Sequence, residues 1–178
     1  YRVYTSNDGR HVILSHGTTI HGAQSVADGR PQPLTYYSAE GPLGQALSAI
    51  QPWKPSLRFG DVGMGAGASA CYSRPSDLWT FFEIDPLVVK LARDQGSFHF
   101  LKECTPSARV VIGDARLSLA LEANQAFDVL IMDAFSSDSI PTRASDAFTA
   151  GISNTAAERC GSLPSAPATI SMSPGDDM

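Results

Sequence analysis

The chain has 178 residues, of which 43% are hydrophobic and 17% charged, and it carries a formal net charge of −5. This length suffices for one domain with a hydrophobic core, and the composition is that of an ordinary globular protein. The acidic balance argues against nucleic acid as a partner, because phosphate neutralisation requires a basic surface, and it agrees better with a neutral or cationic small substrate.

No stretch approaches the roughly 20 consecutive apolar residues of a membrane helix, and no signal peptide is visible. We therefore expect a cytoplasmic protein. The first residue is Tyr1 rather than Met, which predicts a fragment and leaves open a membrane segment upstream. The three cysteines, Cys71, Cys104 and Cys160, have neither metal-ligand spacing nor an even number, so we expect reduced, mostly buried thiols and no metal.

Residues 1–52 are predicted to form an antiparallel β unit followed by a linking helix. A turn signal at 7–9 separates the first two of three expected strands. The spacing of Leu43, Leu47 and Ile50 predicts the helix that follows. The expected strands are at 2–5, 11–14 and 18–24.

Residues 53–141 alternate between strand and helix patterns. The second and fourth strands of this region are almost entirely apolar, as in strands covered on both faces. In the helix after the third strand, Leu117, Ala120 and Leu121 form the expected apolar stripe. The alternation predicts a parallel sheet with right-handed crossovers, an α/β Rossmann-like domain. Its expected strands are at 57–62, 78–84, 109–112 and 127–132.

Residues 142–178 form an atypical tail, rich in Ala, Ser, Thr, Pro and Gly, in which only 168–172 could be a strand. The sheet is therefore expected to be incomplete at its C-terminal end because the tail is truncated or altered. An open apolar edge at the fourth strand, or at a neighbouring strand, would follow. Such an edge favours pairing with a second copy, and we expect a homodimer.

The first strand of the Rossmann-like domain runs into an Asp-x-Gly-x-Gly-x-Gly pattern made by Asp61, Gly63, Gly65 and Gly67. Glycines lack the Cβ atom that would keep a flat ligand away from the backbone. A strand, a glycine turn, a helix and a second strand ending in an acid, here Glu83, form a nucleotide half-site, and the acid accepts hydrogen bonds from a ribose diol. Asp61 either contacts this ligand or accepts hydrogen bonds from backbone amides of the turn.

The carboxyl ends of the four predicted strands should meet at one crevice, because ligands of open α/β sheets bind there. Asp114 follows the third strand, where it would contact an adenine amino group, and it can also cap the next helix. Together with Glu83 and the glycine turn, this is the layout of S-adenosylmethionine-type folds. Asp85 is expected to be a helix cap, and Asp128 a structural residue.

Asp133 ends the buried fourth strand at the mouth of this crevice, and Asp138 follows in a serine-rich loop. Two carboxylates there would attract a cationic amine and could accept its proton. We therefore prefer a functional to a structural role for Asp133, and only slightly so for Asp138. His16 and His21 are either pocket residues or, as we prefer, packed or hydrogen-bonded within the β unit.

These motifs resemble those of the spermidine synthase family of aminopropyltransferases, above all the spermidine synthase-like domains found fused to transporter-like membrane regions. The resemblance covers residues 1–141 and ends there. It is carried by the glycine turn and by the segments 16–24, 36–37, 41–44, 82–86, 113–116 and 127–141.

The resemblance implies transfer of an aminopropyl group from decarboxylated S-adenosylmethionine to an amine such as putrescine. Glu83 would hold the ribose and Asp114 the adenine, while Asp133 would accept a proton from the attacking amine. The amine pocket would be lined by Gln24, Tyr36, Tyr37 and Asp138.

Two alternatives remain open. The family's glycine turn usually has an aspartate where Ala66 stands, and that acid reads the aminopropyl ammonium group. Ala66 therefore favours intact S-adenosylmethionine and a methyltransferase activity. The other alternative is a non-catalytic nucleoside-binding domain, which the atypical tail favours. A nicotinamide dehydrogenase is disfavoured, because it gives the loop after Asp133 no role.

Overall fold

The computed structural model describes residues 1–27, 29–94 and 96–134, together with the backbone of a strand at Ala168–Ser171. The N-terminal part is a three-stranded sheet in which β1 (Arg2–Thr5), β2 (His11–His16) and β3 (Thr19–Ser25) pair in antiparallel order. A tight turn closes the first hairpin, where the Ser6 amide donates to the His11 carbonyl over 2.8 Å. The predicted antiparallel unit is confirmed.

Helix α1 (Pro42–Ile50) follows, with Pro42 at its start because a residue without an N–H costs least there. Its buried face contains Leu43, Leu47 and Ile50, as their spacing predicted. This face packs into the main hydrophobic core and so attaches the N-terminal unit to the rest of the chain.

The second sheet is parallel throughout and consists of β4 (Arg58–Val62), β5 (Leu78–Glu83), β6 (Arg109–Ile112), β7 (Val129–Met132) and β8 (Ala168–Ser171). The strands lie in the order β6-β5-β4-β7-β8. The chain therefore builds outward from β4 in one direction and then crosses back to build in the other, as in Rossmann-like sheets. The predicted α/β fold is confirmed.

Three short α-helices accompany this sheet, namely α2 (Pro86–Val89), α3 (Phe100–Cys104) and α4 (Ala115–Ala120). Alternate residues of the strands enter two separate apolar clusters. The larger cluster contains Phe59, Phe81 and Ile131 together with the buried face of α1. The smaller contains Val62, Phe82 and Leu130 and is flanked by α4. Both faces of the sheet are thus covered, as apolar strands require.

Two expectations about the edges of this fold need correction. Strand β8, which confirms the possible strand at 168–172, pairs with β7 from Val129 to Met132, so the edge position falls to this neighbour and not to β7. On α4, Leu117 is 69% and Leu121 88% exposed, because Leu119 rather than these two residues packs against the smaller cluster. Within the described residues, no helix combines the length and apolarity needed to cross a membrane.

The expectation of reduced thiols is also wrong for two of the cysteines. Cys71 and Cys104 form a disulfide across a Cα–Cα distance of 4.8 Å. It joins α3 to Ala68–Tyr72, a 3-10 helix that stands where the sequence predicted an ordinary helix after the glycine turn. Sequence spacing gave no signal for this pair, because the two cysteines are 33 residues apart and meet only through tertiary packing.

Asp77 anchors the beginning of the parallel sheet. Its side chain is fully buried, accepts from the Leu57 amide over 2.8 Å and forms a double hydrogen bond with the Arg74 guanidinium. We expect Asp77→Ala to lower the free energy of unfolding by about 2–3 kcal/mol, because a buried amide and a guanidinium lose their acceptor. Urea denaturation measures this loss. Asp8→Ala is the matched control, since the Asp8–Arg10 pair is exposed. An equal loss in both variants would show that the buried Asp77 carboxylate adds no more stability than an exposed one.

Candidate functional site

The site lies where the sheet order reverses. The glycine turn leaves the end of β4, and Asp133 leaves the end of the adjacent β7. The Asp133 amide donates to the Val62 carbonyl over 2.8 Å, which fixes these two strand ends side by side. In open α/β sheets this reversal point is the crevice in which ligands bind.

Gly63, Gly65 and Gly67 all adopt left-handed dihedrals, with φ of +95°, +51° and +85°. A Cβ atom at Gly63 would meet the Asp133 carbonyl, and one at Gly65 would lie 2.6 Å from the carbonyl oxygen of His21. At Gly67 it would overlap the side chain of Leu101. Close packing within the protein therefore requires all three glycines, and their contact with a ligand stays a prediction.

Strand β3 covers the glycine turn. The Ala66 amide donates to the His21 carbonyl over 3.2 Å, and a Cβ atom on Gly22 would lie 2.6 Å from that of Ala66. Ala66 itself is fully buried. The N-terminal sheet thus closes the turn from one side, and the side chain at position 66 is packed against β3.

The turn has few amides left for a phosphate group. The Gly63 amide donates to the Phe82 carbonyl, the Ala66 amide to His21, and the Gly67 amide to the Met64 carbonyl. The Met64 amide donates to the Glu83 carboxylate. A phosphate-binding turn needs such amides to point at its ligand. The occupied amides and the neighbouring acids disfavour a dinucleotide and agree with an uncharged or cationic nucleoside.

Asp61 is buried at the end of β4, with 2% of its surface exposed. Its Oδ2 accepts from the Ser69 hydroxyl, while Oδ1 has no hydrogen-bond partner within the described residues. Burial raises the pKa of Asp61 well above its ordinary value; the Ser69 bond opposes this shift, and the charges of Asp133 and Glu83 add to it. The donor to Asp61 is the Ser69 side chain and not a backbone amide of the turn. The other predicted role, contact with a ligand, stays a prediction.

Glu83 is buried at the end of β5 and held at both oxygens. Oε2 accepts from the Met64 amide and Oε1 from the Asp85 amide, each over 3.0 Å. Burial raises the pKa of Glu83, although these backbone hydrogen bonds act in the opposite direction. The predicted hydrogen bonds from Glu83 to a ribose stay a prediction.

Asp133 combines burial with an unused acceptor. It is 8% exposed, its Oδ2 accepts from the Tyr37 hydroxyl, and its Oδ1 has no hydrogen-bond partner within the described residues. Burial raises the pKa of Asp133 to about 7, against the lowering effect of the Tyr37 bond. A carboxyl group whose pKa lies near neutral pH can accept a proton from an amine and release it again.

Tyr37 holds Asp133 in place. The Tyr37 ring is buried and lies 4.3 Å, centre to centre, from the ring of Tyr36. Its backbone carbonyl accepts from the Tyr72 hydroxyl over 2.6 Å. Burial, with the charge of Asp133, raises the pKa of both Tyr36 and Tyr37. Both residues were predicted to line the pocket, but the bond to Asp133 spans 96 residues of sequence and no local pattern indicated it.

Other predicted site residues have internal partners. Gln24 is buried, and its Oε1 accepts from the His99 amide over 2.7 Å. Asp114 caps α4 through the Arg116 amide and pairs with the Arg116 guanidinium at 2.6 Å, which lowers the pKa of Asp114. A cap and an adenine contact are compatible. Asp138 lies outside the described residues.

The remaining sequence expectations about acids are confirmed. Asp85 caps α2 by accepting from the Leu87 amide over 2.8 Å. Asp128 has a structural role, because it accepts from Arg58 and from Lys54 at the start of the sheet.

Within the part of the chain that the structure describes, no group of three or more His, Cys, Asp or Glu side chains could hold a metal ion.

An aromatic cluster lies beside the end of β5. The ring of Tyr1 stacks on that of His16 at 4.6 Å and meets His21 edge-on at 6.0 Å. Burial raises the pKa of Tyr1, and the charges of Asp85 and Glu83 raise it further. Burial lowers the pKa of His21. The expectation that these histidines pack within the β unit is confirmed for His21, which is partly buried, whereas His16 is exposed and packs on the ring of Tyr1.

We expect Gly22→Ala to destabilise the protein more than Gly17→Ala does. Both glycines have positive φ, so both variants carry backbone strain, but only at Gly22 does the new methyl group meet Ala66. The difference in free energy of unfolding, measured by urea denaturation, therefore combines the contact between β3 and the glycine turn with the greater backbone strain at the Gly22 φ of +149°, compared with +58° at Gly17. Equal losses would show that this contact adds no stability.

The pKa of Asp133 predicts a pH-dependent gain in stability for Asp133→Asn. The folded-state value of about 7 exceeds the ordinary value of about 3.9, so the stability from the neutral carboxyl is complete below pH 4 and lost as pH rises through 7. Because asparagine stays neutral, the variant should be about 1–3 kcal/mol more stable than the parent at pH 8 and close to it at pH 4.

Asp128→Asn serves as the control of opposite sign. The Arg58 hydrogen bonds hold the pKa of Asp128 below its usual range, so this variant should lose stability at pH 8 and lose less as pH falls below 4. Thermal unfolding across this pH range measures both effects. Equal pH profiles for Asp133→Asn and its parent would refute the raised pKa of Asp133.

Comparison with known proteins gives a likeness of fold. No protein-family model matches the chain, and no curated protein does. A crystal structure of a probable spermidine synthase from Corynebacterium glutamicum is similar with a TM-score of 0.50 and 21% identity, over 79% of this chain and 54% of that one. MnmC2 from Aquifex aeolicus is similar with a TM-score of 0.40 and 20% identity, over 78% of this chain and 50% of that one.

The chain thus spans about half the length of these proteins. At 21% identity, the first likeness concerns the fold and not the reaction. Over the residues that the two share, this chain has the Rossmann-like fold of a probable spermidine synthase, with a small antiparallel sheet before the parallel one.

Proposed function

We propose that the protein is a transferase of the spermidine synthase type, which moves an aminopropyl group from decarboxylated S-adenosylmethionine to an amine such as putrescine. The observation that carries this proposal is the state of Asp133. It combines a raised pKa of about 7, an unused buried oxygen and a position beside the glycine turn. These are the properties of a base that must act near neutral pH.

The reaction needs a neutral amine next to a sulfonium. The amine nitrogen attacks the carbon bonded to the positively charged sulfur, the carbon–sulfur bond breaks, and its electron pair stays on sulfur to give a neutral thioether. Before the attack, Asp133 accepts a proton from the ammonium form of the incoming amine, which frees the lone pair that attacks, and the product then carries the positive charge as its own ammonium group. Because the sulfonium is already a good leaving group, the protein has only to align the two partners, exclude water and take the proton.

The charge of the crevice supports this choice of ligand. Asp61, Glu83 and Asp133 are all buried, and burial raises the pKa of each. A sulfonium or an ammonium group would favour their charged forms, whereas a phosphate would oppose them. In this proposal Glu83 binds the ribose and Asp114 the adenine. The pocket for the amine is lined by Gln24, Tyr36, Tyr37 and Asp138.

A methyltransferase that uses intact S-adenosylmethionine is the second candidate. The observation that favours it is Ala66, whose side chain is fully buried against Gly22. Position 66 therefore supplies no carboxylate to pair with an aminopropyl ammonium or to repel the carboxylate of the intact cofactor. The two activities differ in which sulfonium carbon the amine attacks, and the base at Asp133 serves either.

Calorimetry with four ligands separates these candidates. We expect tight binding of methylthioadenosine and of decarboxylated S-adenosylmethionine, no binding of NAD, and turnover only when putrescine or a related amine is present. Preference for S-adenosylhomocysteine with methyl transfer would select the methyltransferase. Binding of nucleoside without any turnover would select a nucleoside-binding domain and refute the proposal.

Two variants test the assigned roles. Asp133→Asn should abolish transfer, because the amide cannot accept the proton, and leave nucleoside affinity within a few-fold. Glu83→Gln is the matched variant and should weaken nucleoside binding on the order of tenfold, because a charged acceptor of hydrogen bonds is lost. Transfer assays and calorimetry on the same preparations measure both effects. Parental turnover in Asp133→Asn would remove Asp133 from the mechanism.

A further inference from the structure

The disulfide Cys71–Cys104 lies next to the candidate site rather than in a remote part of the fold. Cys71 belongs to the 3-10 helix Ala68–Tyr72, which begins directly after Gly67. Cys104 ends α3, whose Leu101 fills the space beside Gly67 that a Cβ atom would occupy. The bond therefore fastens the segment that leaves the glycine turn to the helix that packs against that turn.

A chain of contacts leads from this bond to Asp133. Tyr72, the neighbour of Cys71, donates its hydroxyl to the Tyr37 carbonyl over 2.6 Å. The Tyr37 hydroxyl in turn donates to the Asp133 carboxylate. The position of Tyr37, and with it the hydrogen bond that lowers the pKa of Asp133, thus depends on where the 3-10 helix lies.

The two sulfur-bearing residues are also accessible. Cys71 and Cys104 are each partly exposed, in contrast to the fully buried Ala68 and Ala70 of the same 3-10 helix. A thiolate must reach a disulfide sulfur for exchange to occur, and partial exposure permits that approach.

We propose that Cys71–Cys104 is a redox-active modification site that controls the order of the glycine turn and, through Tyr72 and Tyr37, the state of Asp133. A small dithiol or a dithiol protein attacks one sulfur, a mixed disulfide forms, and its second thiol resolves it. The protein disulfide gains two electrons and two protons, and the reductant leaves as its own disulfide. The oxidised form is the ordered, binding-competent one.

The test uses the full chain carrying Cys160→Ser, which removes the third thiol, in the oxidised state and after reduction by dithiothreitol. Amide hydrogen exchange at residues 63–72 is the first readout, and it does not depend on the identity of the ligand. We expect exchange there to accelerate about tenfold on reduction while β4 and β5 keep their protection, as for coupling of moderate strength.

Methylthioadenosine affinity, measured by calorimetry on the same two states, is the second readout and rests on the proposed function. We expect reduction to weaken binding on the order of tenfold. If the nucleoside does not bind in either state, the proposed function fails while the exchange measurement still decides the redox inference. The double variant Cys71→Ala, Cys104→Ala should behave like the reduced chain with or without dithiothreitol.

Three results would overturn the inference. Equal amide exchange at 63–72 in the oxidised and reduced chains would show that the bond does not order the turn. Loss of protection throughout β4 and β5 on reduction would show that the bond is a crosslink for global stability and not a local control. An effect of dithiothreitol on amide exchange at 63–72 that persists in the double variant would show that this effect does not come from the Cys71–Cys104 bond.

Discussion

The burial of carboxyl groups at one edge of a parallel sheet is the constraint on which the rest of this structure depends. Asp61, Glu83 and Asp133 end three neighbouring strands, and each is less than a tenth exposed. Taking such groups out of water costs free energy that the fold must recover elsewhere. The protein recovers it with donors, and the Ser69 and Tyr37 hydroxyls and the Met64 and Asp85 amides provide them.

The N-terminal sheet makes this burial possible. Strand β3 lies against the glycine turn through His21 and Gly22, and a second 3-10 helix, Thr35–Tyr37, follows this strand and brings Tyr37 to Asp133. Without that cover the carboxyl groups would be solvated, and their pKa values would stay near those of free carboxyl groups. The small antiparallel unit therefore contributes to the chemistry of the site and not only to the core.

Much of this could be predicted from the sequence, for physical reasons. The strand patterns at 57–62, 78–84 and 127–132 predict buried parallel strands, and acids at the ends of such strands must lie at one edge. What sequence could not predict depends on contacts between distant segments. Neither the Tyr37–Asp133 bond nor the disulfide has a local pattern, because both are made only when the N-terminal unit and α3 pack onto the glycine turn.

The sequence pattern identified the glycine turn correctly, but the reason given for its glycines was incomplete. Its glycines were expected to admit a flat ligand, yet each is also required by a neighbouring carbonyl or side chain of the protein itself. The predicted apolar stripe on α4 is wrong for a related reason. Periodicity identifies an apolar face, but it does not show whether the sheet covers that face. Leu119 turns toward the smaller cluster, and Leu117 and Leu121 remain exposed.

We propose that acids from neighbouring strand ends face one nucleoside site. Amide chemical shifts, followed by NMR while methylthioadenosine is added, test this arrangement. We expect the amides of Gly65, Glu83, Asp114 and Asp133 to shift together along one saturation curve, while those of β1 and of the start of β5 do not move. Shifts confined to one of these strand ends, or saturation at different concentrations for different ends, would contradict a common site.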